Sequence, residues 1–239
     1  MKLILTGGGV DKNAIDAFSM FAKLTNRGKI LYIPLADDEM TLDENLLWFK
    51  NQMLPYGIVD IDMIKSADEI TMERLNSADG VFIGGGNAFQ LLNELKKSIA
   101  YNNIKKAIKN NTVVLGLSAG TTIFGKDINS CLKDDLNIIA NDKNKVGLIN
   151  TKGYNLIENF SFFVHYKLKE SQFEATEEKV KRILDLGTNI ICLPEETNLF
   201  ITENAITVFG GKPAEIITPN CRKKVQPKEK ISFDLNLTI

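Results

Sequence analysis

The sequence contains few of the residues that bind metals or carry redox chemistry. It has a single histidine and only three cysteines, and Cys131, Cys192 and Cys221 show neither a CxxC pair nor a metal-ligand spacing. A small, odd number of cysteines fits a reducing compartment, and an isolated cysteine in a strand, such as Cys192, is usually a core residue. A disulfide scaffold and a cysteine-based metal site are therefore not expected.

A strong charge imbalance and long hydrophobic runs are also missing. The formal net charge is -1 and the isoelectric point about 6.0, so no global field attracts nucleic acid or an anionic membrane surface. No apolar run approaches the ~20 residues of a membrane-spanning helix, and the first apolar stretch is too short for a signal peptide. We expect a cytoplasmic monomer or homodimer that binds neither nucleic acid nor a membrane.

The residues that are present suit a globular α/β protein. With 239 residues and no internal repeat, linker or low-complexity tail, the chain is expected to form one domain over residues 1–239. Apolar strand patterns alternate with helical patterns through the first half, which predicts a parallel sheet covered by helices on both faces. The strands are expected at 3–5, 30–34, 58–63, 80–83 and 113–117.

The regular alternation ends beyond the strand at 113–117. Residues 125–155 are polar and poorly patterned, which favours a lid or a binding loop. The expected elements of the second half are short strands at 136–139 and 233–235, longer strands at 160–166 and 189–193, a helix at 174–186, a hairpin from 199–202 and 205–209, and a solvated basic turn at 222–224.

One segment joins a buried strand to a sharp turn. Residues 113–121 read VVLGLSAGT, an apolar, β-branched run that stops at a GxSxG pentapeptide. In a nucleophile elbow, the serine (here Ser118) occupies a strained turn, and small neighbours let strand and helix pass. Its hydroxyl then lies beside the unpaired N–H groups of a helix start, which stabilise developing negative charge. The alternative is a glycine-rich turn without chemistry, because the pentapeptide needs structural context to be informative.

A second glycine-rich loop follows the strand at 80–83. Residues 84–87 read GGGN and precede a strongly helical segment. In an open α/β sheet, this loop and the Ser118 turn both lie at carboxyl ends of strands, where ligands bind. A phosphate cradle would need a GxGxxG pattern or a Walker lysine, and a flexible loop is the simplest alternative. We favour a role in contacting the oxyanion and the substrate backbone.

The only histidine, His165, ends an apolar strand pattern downstream of the serine turn. This position makes it the candidate general base, although a lone histidine is more often a surface or core residue. Glu195 and Glu196 come shortly after the strand at 189–193. Carboxylates there can orient an imidazole or form only a solvated loop or a helix cap.

These blocks together resemble the peptidase E family of serine peptidases, which are related to the cyanophycinases. The resemblance covers essentially the whole chain and depends on GGGNAFQLL at 84–92 and GLSAG at 116–120, with support from KLILTGG at 2–8 and the strand at 30–34. It implies a three-layer α/β/α sandwich with a mostly parallel central sheet, similar to class I glutamine amidotransferases and to flavodoxin-like folds. The pattern at 199–209 adds a small C-terminal hairpin.

The resemblance also implies catalytic residues. Ser118 would be the nucleophile. The family's P-H-[FY] context matches VHY at 164–166 apart from the proline, which implies His165 as the base. Its L-P-E block matches LPE at 193–195, which implies Glu195 as the group that orients His165.

The third member of this triad has competitors. The family's aspartate follows the nucleophile in sequence, and the segment between Ser118 and His165 is longer here, so Asp127, Asp134 and Asp135 all compete for its place. We therefore favour Glu195 and keep an aspartate, Asp127 or Asp135, as the alternative.

The sequence departs from the family pattern at a position that bears on specificity. Members that cleave Asp-X dipeptides carry an arginine in a T-R-E-Q-R-I context, and the corresponding stretch here is ATEEKV at 175–180, with Thr176 in the arginine's place. Without a bidentate guanidinium, an aspartyl carboxylate loses its best partner, and Lys167 or Lys169 could substitute only as point charges. Strict Asp-X specificity is therefore not expected.

The expected reaction is acyl transfer from a short peptide to water. His165 takes the proton of Ser118, whose oxygen attacks a peptide carbonyl. The backbone N–H groups of Gly85 or Gly86 and of Ala119 would hold the oxyanion.

Asn87 would contact the substrate backbone or its amino terminus, and the reaction requires neither a metal nor an organic cofactor. Two other functions stay open at this point. One is another serine hydrolase of the same fold, such as an esterase, an amidase or a cyanophycinase-like enzyme. The other is a non-catalytic binding or regulatory protein.

Overall fold

Eleven strands are found among the residues that the computed structural model describes, which are 1–37, 39–136, 138, 141–167 and 169–231. Their bounds are β1 Lys2–Thr6, β2 Ile30–Ile33, β3 Ile61–Met63, β4 Gly80–Ile83, β5 Val113–Leu117, β6 Phe160–Val164, β7 Asn189–Leu193, β8 Thr197–Thr202, β9 Ile206–Gly210, β10 Ala214–Thr218 and β11 Cys221–Val225. The strands expected at 136–139 and 233–235 include residues outside this set.

Seven of these strands form the main sheet, in the order β3-β2-β4-β5-β1-β8-β9. The five strands β1 to β5 are mutually parallel wherever they pair, whereas β8 runs antiparallel to β1 and β9 antiparallel to β8. The prediction of a mostly parallel central sheet is confirmed. The β8–β9 hairpin is also formed as predicted, and it extends one edge of this sheet.

Helices cover both faces of the main sheet, as predicted. The seven α-helices are α1 Ile15–Leu24, α2 Leu42–Met53, α3 Met72–Ser77, α4 Ala88–Lys96, α5 Ala100–Lys109, α6 Ala119–Thr122 and α7 Phe173–Asp185 within the described ranges. Phe18 of α1 and Phe49 of α2 pack with Phe82 of β4 on one face, while Leu91 of α4 and Ile104 of α5 belong to the core on the other. None of the described helices is long and apolar enough to cross a bilayer.

The strands that precede His165 and Glu195 belong to a second sheet, in the order β11-β10-β7-β6. Here β6 and β7 are parallel, so both residues follow carboxyl ends at the same edge. The two sheets meet at Gly7, whose amide donates to the carbonyl of Thr197 at 2.9 Å and whose carbonyl accepts from the amide of His165 at 2.8 Å. The Ser118 turn and the His165 strand end therefore reach one site from different sheets.

The basic run at 222–224 is not a solvated turn, and that prediction was wrong. It lies on β11, which pairs antiparallel with β10. The first four residues of β11 are exposed, so the strand lacks the apolar alternation by which a strand is recognised in a sequence.

The glycines around Ser118 are required by the close approach of neighbouring segments. A Cβ on Gly116 would lie 2.4 Å from the carbonyl oxygen of Gly120, and a Cβ on Gly120 would lie 2.3 Å from that of Ile83. Both distances are too short for a carbon atom, because protein interiors are close-packed and carbon–oxygen contacts cannot shrink that far. The small residues of the pentapeptide thus let β4, β5 and α6 pass one another.

We expect Gly120→Ala to lower the free energy of unfolding by about 3 kcal/mol, because the added methyl group must displace backbone of β4. Urea denaturation followed by circular dichroism measures the loss. Gly147→Ala is the matched control, since a Cβ there meets no described atom within 4 Å although its φ is +65°. That control should cost about 1 kcal/mol of backbone strain. Equal losses in the two variants would contradict the packing argument.

Candidate active site

Ser118 lies at the apex of the turn between β5 and α6 in a strained conformation. Its φ is 52° and its ψ is -108°, although it is not a glycine. A non-glycine residue in such a region costs on the order of 1–3 kcal/mol and persists only where the surroundings impose it. The amides of Thr121 and Thr122 both donate to the Ser118 carbonyl, at 2.8 and 2.9 Å, and so fix this turn.

Three side chains form a continuous hydrogen-bonded chain at this turn. Ser118 Oγ lies 2.9 Å from His165 Nε2, and His165 Nδ1 lies 2.8 Å from Glu195 Oε1. Asn13 Nδ2 donates to the second carboxylate oxygen of Glu195 at 3.0 Å. The structure thus brings Ser118, His165 and Glu195 together in the order in which a nucleophile, a base and an orienting carboxylate are arranged.

The ionisation of Glu195 defines the protonation pattern of His165. The hydrogen bond with His165 holds the pKa of Glu195 below its ordinary value and outweighs partial burial, and Asn13 acts in the same direction. An ionised carboxylate can only accept, so the proton of a neutral imidazole lies on Nδ1. Nε2 is then free to accept the hydroxyl proton of Ser118.

The other carboxylates considered for this role lie elsewhere. Asp127 accepts from the amide of Asn129 at 2.9 Å and from Thr188 Oγ1 at 3.2 Å. Asp135 pairs with Arg182 at 2.6 Å on the surface, and Asp134 pairs with the buried Lys179 at 2.8 Å. Among the described residues, Glu195 is the carboxylate that contacts His165.

Close backbone approach also positions the imidazole. Gly8, with a φ of +108°, lies against the His165 ring, and a Cβ there would fall 2.4 Å from Cε1. A side chain at Gly8 would therefore push the ring out of its place. The sequence contains a signal for this contact in the GGG run at 7–9, but nothing in the sequence indicates that Asn13 contacts Glu195.

Three amides expected to bind an oxyanion lie beside Ser118. Gly85 and Gly86 line one cavity together with Ser118, and Ala119 lines an adjoining one. Gly86 has a φ of +133°, and a Cβ on it would lie 2.3 Å from the carbonyl oxygen of Ala36. No described group accepts a hydrogen bond from the amides of these three residues.

The side chain of Asn87 is used within the protein. Its Oδ1 caps α4 by accepting from the amides of Phe89 and Gln90 at 3.0 and 3.1 Å. Its Nδ2 donates to the carbonyl of Lys143 at 2.9 Å. Asn87 lines the cavity at Ser118, but its side chain already caps α4 and holds the segment that contains Lys143, so its contact with a substrate stays a prediction.

Two adjoining cavities open at Ser118 and His165. The larger has a volume of about 650 Å³, and the smaller, of about 230 Å³, also contacts Thr122, Cys131 and Val164. Trp48, the only tryptophan of the chain, lines the larger cavity. The walls of this larger cavity carry charges of both signs, on Asp37, Glu39, Asp142, Lys133, Lys143 and Lys145.

Thr176, which occupies the place of the expected arginine, does not line either cavity. It is 3% exposed in α7, and its hydroxyl donates to the carbonyl of Gln172 at 2.7 Å. Lys167, one of the substitutes considered, pairs with Glu177 at 2.8 Å. The described residues also contain no group of three or more His, Cys, Asp and Glu side chains arranged to hold a metal ion.

Comparisons with known proteins agree with this fold. A profile described as peptidase family S51 matches residues 3–209. The chain is 26% identical over 195 residues to Peptidase E of Shewanella denitrificans, covering 78% of this chain and 77% of that protein. It is 27% identical over 191 residues to Peptidase E of Nostoc sp., covering 77% and 73%. The crystal structure of a peptidase from an acI-B1 Actinobacterium superposes with a TM-score of 0.74 at 20% identity, over 97% of this chain and 96% of that one.

Proposed function

We propose that this chain, which belongs to peptidase family S51 and is a serine-type peptidase, hydrolyses short peptides through an acyl-enzyme on Ser118. The observation that carries this proposal is the hydrogen-bonded chain from Ser118 through His165 to Glu195. In this chain Ser118 is the nucleophile, His165 is the base and Glu195 is the carboxylate that orients it.

In the proposed reaction, Ser118 Oγ attacks the scissile carbonyl carbon while His165 Nε2 takes its proton. Glu195 holds Nδ1–H and stabilises the imidazolium that forms. The imidazolium then protonates the leaving amine, and the C–N bond breaks to give the acyl-enzyme. Water, deprotonated by the same Nε2, attacks the ester carbonyl and releases the acid and the free Ser118 hydroxyl.

The negative charge on the carbonyl oxygen needs preorganised donors. The amides of Gly85 or Gly86 on one side and of Ala119 on the other lie beside Ser118 and donate to no described group. Each donor of this kind contributes roughly 3 kcal/mol to the stabilisation of the transition state.

The size of the site supports a short substrate. A cavity of about 650 Å³ is within the range of roughly 300–1,000 Å³ typical of sites for small ligands. The residue in place of the aspartate-binding arginine, Thr176, is buried and bonded to its own helix, so strict Asp-X specificity is not part of the proposal. We propose a dipeptidase or aminopeptidase that accepts other residues before the scissile bond.

The test is covalent labelling followed by a substrate panel. A fluorophosphonate should modify the folded protein once, at Ser118, because this reagent requires an activated serine. Heat-denatured protein is the control and should not react. Dipeptides, tripeptides, simple esters and β-aspartyl-arginine are then compared by release of product. An unlabelled folded protein would indicate a non-catalytic relative, and turnover of esters alone would replace the peptidase proposal with an esterase.

A further inference from the structure

The backbone that carries His165 is held in an unusual conformation. His165 has a φ of 53° and Lys167 a φ of 51°, with Tyr166 between them. A left-handed conformation at a residue with a Cβ is unfavourable, so two in three residues require surroundings that impose them. The hydrogen bonds of the His165 amide to Gly7 and of the Tyr166 amide to Leu193 hold only one side of this segment.

The side chain of Tyr166 anchors the other side of the segment at 165–167. It is 2% exposed, and its hydroxyl donates to Glu215 Oε2 at 2.9 Å and accepts from Arg222 Nη2 at 2.5 Å. Burial raises the pKa of this phenol far above its ordinary value, so the hydroxyl stays protonated. The residue next to His165 is thus tied through its side chain to the β10–β11 hairpin.

Arg222 joins the side chains that contact Tyr166 and Lys167. Its guanidinium binds both carboxylate oxygens of Glu177 at 2.7 Å and donates through Nε to Glu215 at 2.9 Å. Glu177 in turn pairs with Lys167 at 2.8 Å, so Arg222 is connected to both residues that directly follow His165. The hydrogen bonds from Arg222 lower the pKa of Glu177 to about 2, which keeps this carboxylate ionised.

The same cluster reaches the strand that leads to Glu195. Glu215 of β10 lies opposite Cys192 of β7, and β7 ends two residues before Glu195. The cluster therefore braces His165 and Glu195 from within one sheet, whereas Ser118 is presented by the other sheet. A shift of β10 and β11 would therefore move the imidazole away from Ser118 without disturbing the main sheet.

We propose that Arg222 is a positioning residue for His165 and acts through Tyr166 and Glu177. This inference rests on the proposed function, in which His165 is the base. Removal of the guanidinium takes away one hydrogen bond to the Tyr166 hydroxyl and the two that hold Glu177, the carboxylate that pairs with Lys167, and so loosens both residues. The imidazole then samples positions in which Nε2 no longer meets Ser118, and the chemical step slows while substrate binding is retained.

The experiment compares Arg222→Met with Arg182→Met. Arg182 is a matched control because it is also about 40% exposed and pairs with three carboxylates, but these lie on α7 and at 134–135. Arg222→Met should lower kcat by about 10- to 100-fold with KM changed less than about 3-fold. Arg182→Met should leave both constants within about 2-fold. If Arg222→Met does not fold, Tyr166→Phe provides the test. It deletes only the hydroxyl and should lower kcat in the same way but by a smaller factor.

A second readout needs no substrate. Because His165 is the only histidine, ¹⁵N-histidine labelling gives one imidazole in the NMR spectrum. Its Nδ1–H signal should be sharp and downfield in the native chain and in Arg182→Met, and broadened or lost in Arg222→Met. An unchanged imidazole spectrum, or a raised KM with normal kcat, would overturn the role of Arg222. Failure of the native protein to react with a fluorophosphonate would instead overturn the proposed function, so the two failures are distinguishable.

Discussion

Ser118→Ala is expected to lower kcat by on the order of 10⁴-fold or more, because removal of the nucleophile forces any residual reaction through direct attack of water. The fold should be unaffected. Alanine keeps the Cβ of serine, so the strained φ of 52° is neither relieved nor made worse. The measurement is release of product from the best dipeptide of the panel. Binding of that dipeptide, followed by fluorescence of Trp48 in the larger cavity, should survive the substitution.

Ser130→Ala is the control for this experiment. Ser130 is buried next to Cys131, which lines the smaller cavity, and its hydroxyl donates to the carbonyl of Phe162 at 2.6 Å. Loss of that hydrogen bond should cost about 1 kcal/mol of stability and leave kcat within a few-fold. Undiminished turnover by Ser118→Ala would remove Ser118 from the reaction and with it the acyl-enzyme.

Local sequence patterns were sufficient to predict the elements around Ser118. The run at 113–117 forms β5, the serine follows it at a turn, and the GGGN loop follows β4, all as predicted. These features could be predicted because each depends on a few adjacent residues. Buried strands read as apolar runs, and glycines mark places where backbone approaches backbone.

Contacts between distant segments could not be predicted in this way. Ser118 and His165 are 47 positions apart, and Asn13 and Glu195 are 182 apart. The family resemblance implies the first pairing, and no feature of the sequence indicates the second. The choice between Glu195 and the aspartates was open for the same reason, since it depends on how two sheets meet at Gly7.

Residues that serve the structure through specific hydrogen bonds carry no local sequence signal of that role. Asn87 is a polar residue in a loop at a strand end, where substrate contacts are common. Its side chain, however, bonds the first amides of a helix and the carbonyl of Lys143. Arg222 belongs to a run of three basic residues, which is also the composition of an exposed turn. A single exposed strand next to a buried carboxylate gives no periodic signal.

Glu195→Gln is the second substitution with a large expected effect, and it bears on the third member of the triad. The amide is nearly the same size as the carboxylate but can donate a hydrogen bond. If its N–H faces Nδ1, the imidazole proton moves to Nε2, which can then no longer accept from Ser118. We expect kcat to fall by on the order of 10²- to 10⁴-fold, with KM little changed, in assays on the same dipeptide.

Asp127→Asn and Asp135→Asn separate this explanation from its alternatives. Asp135 is a surface partner of Arg182, so its substitution should alter neither kcat nor stability measurably. Asp127 is buried and accepts from Thr188, so its substitution should lower the free energy of unfolding by about 1 kcal/mol and leave kcat unchanged. The opposite result, a loss of kcat in Asp127→Asn with normal turnover in Glu195→Gln, would mean that Asp127 replaces Glu195 during the reaction. Such a replacement would require β6 and the segment at 125–129 to rearrange, because Ser161 now bonds both the amide and the carbonyl of Asp127.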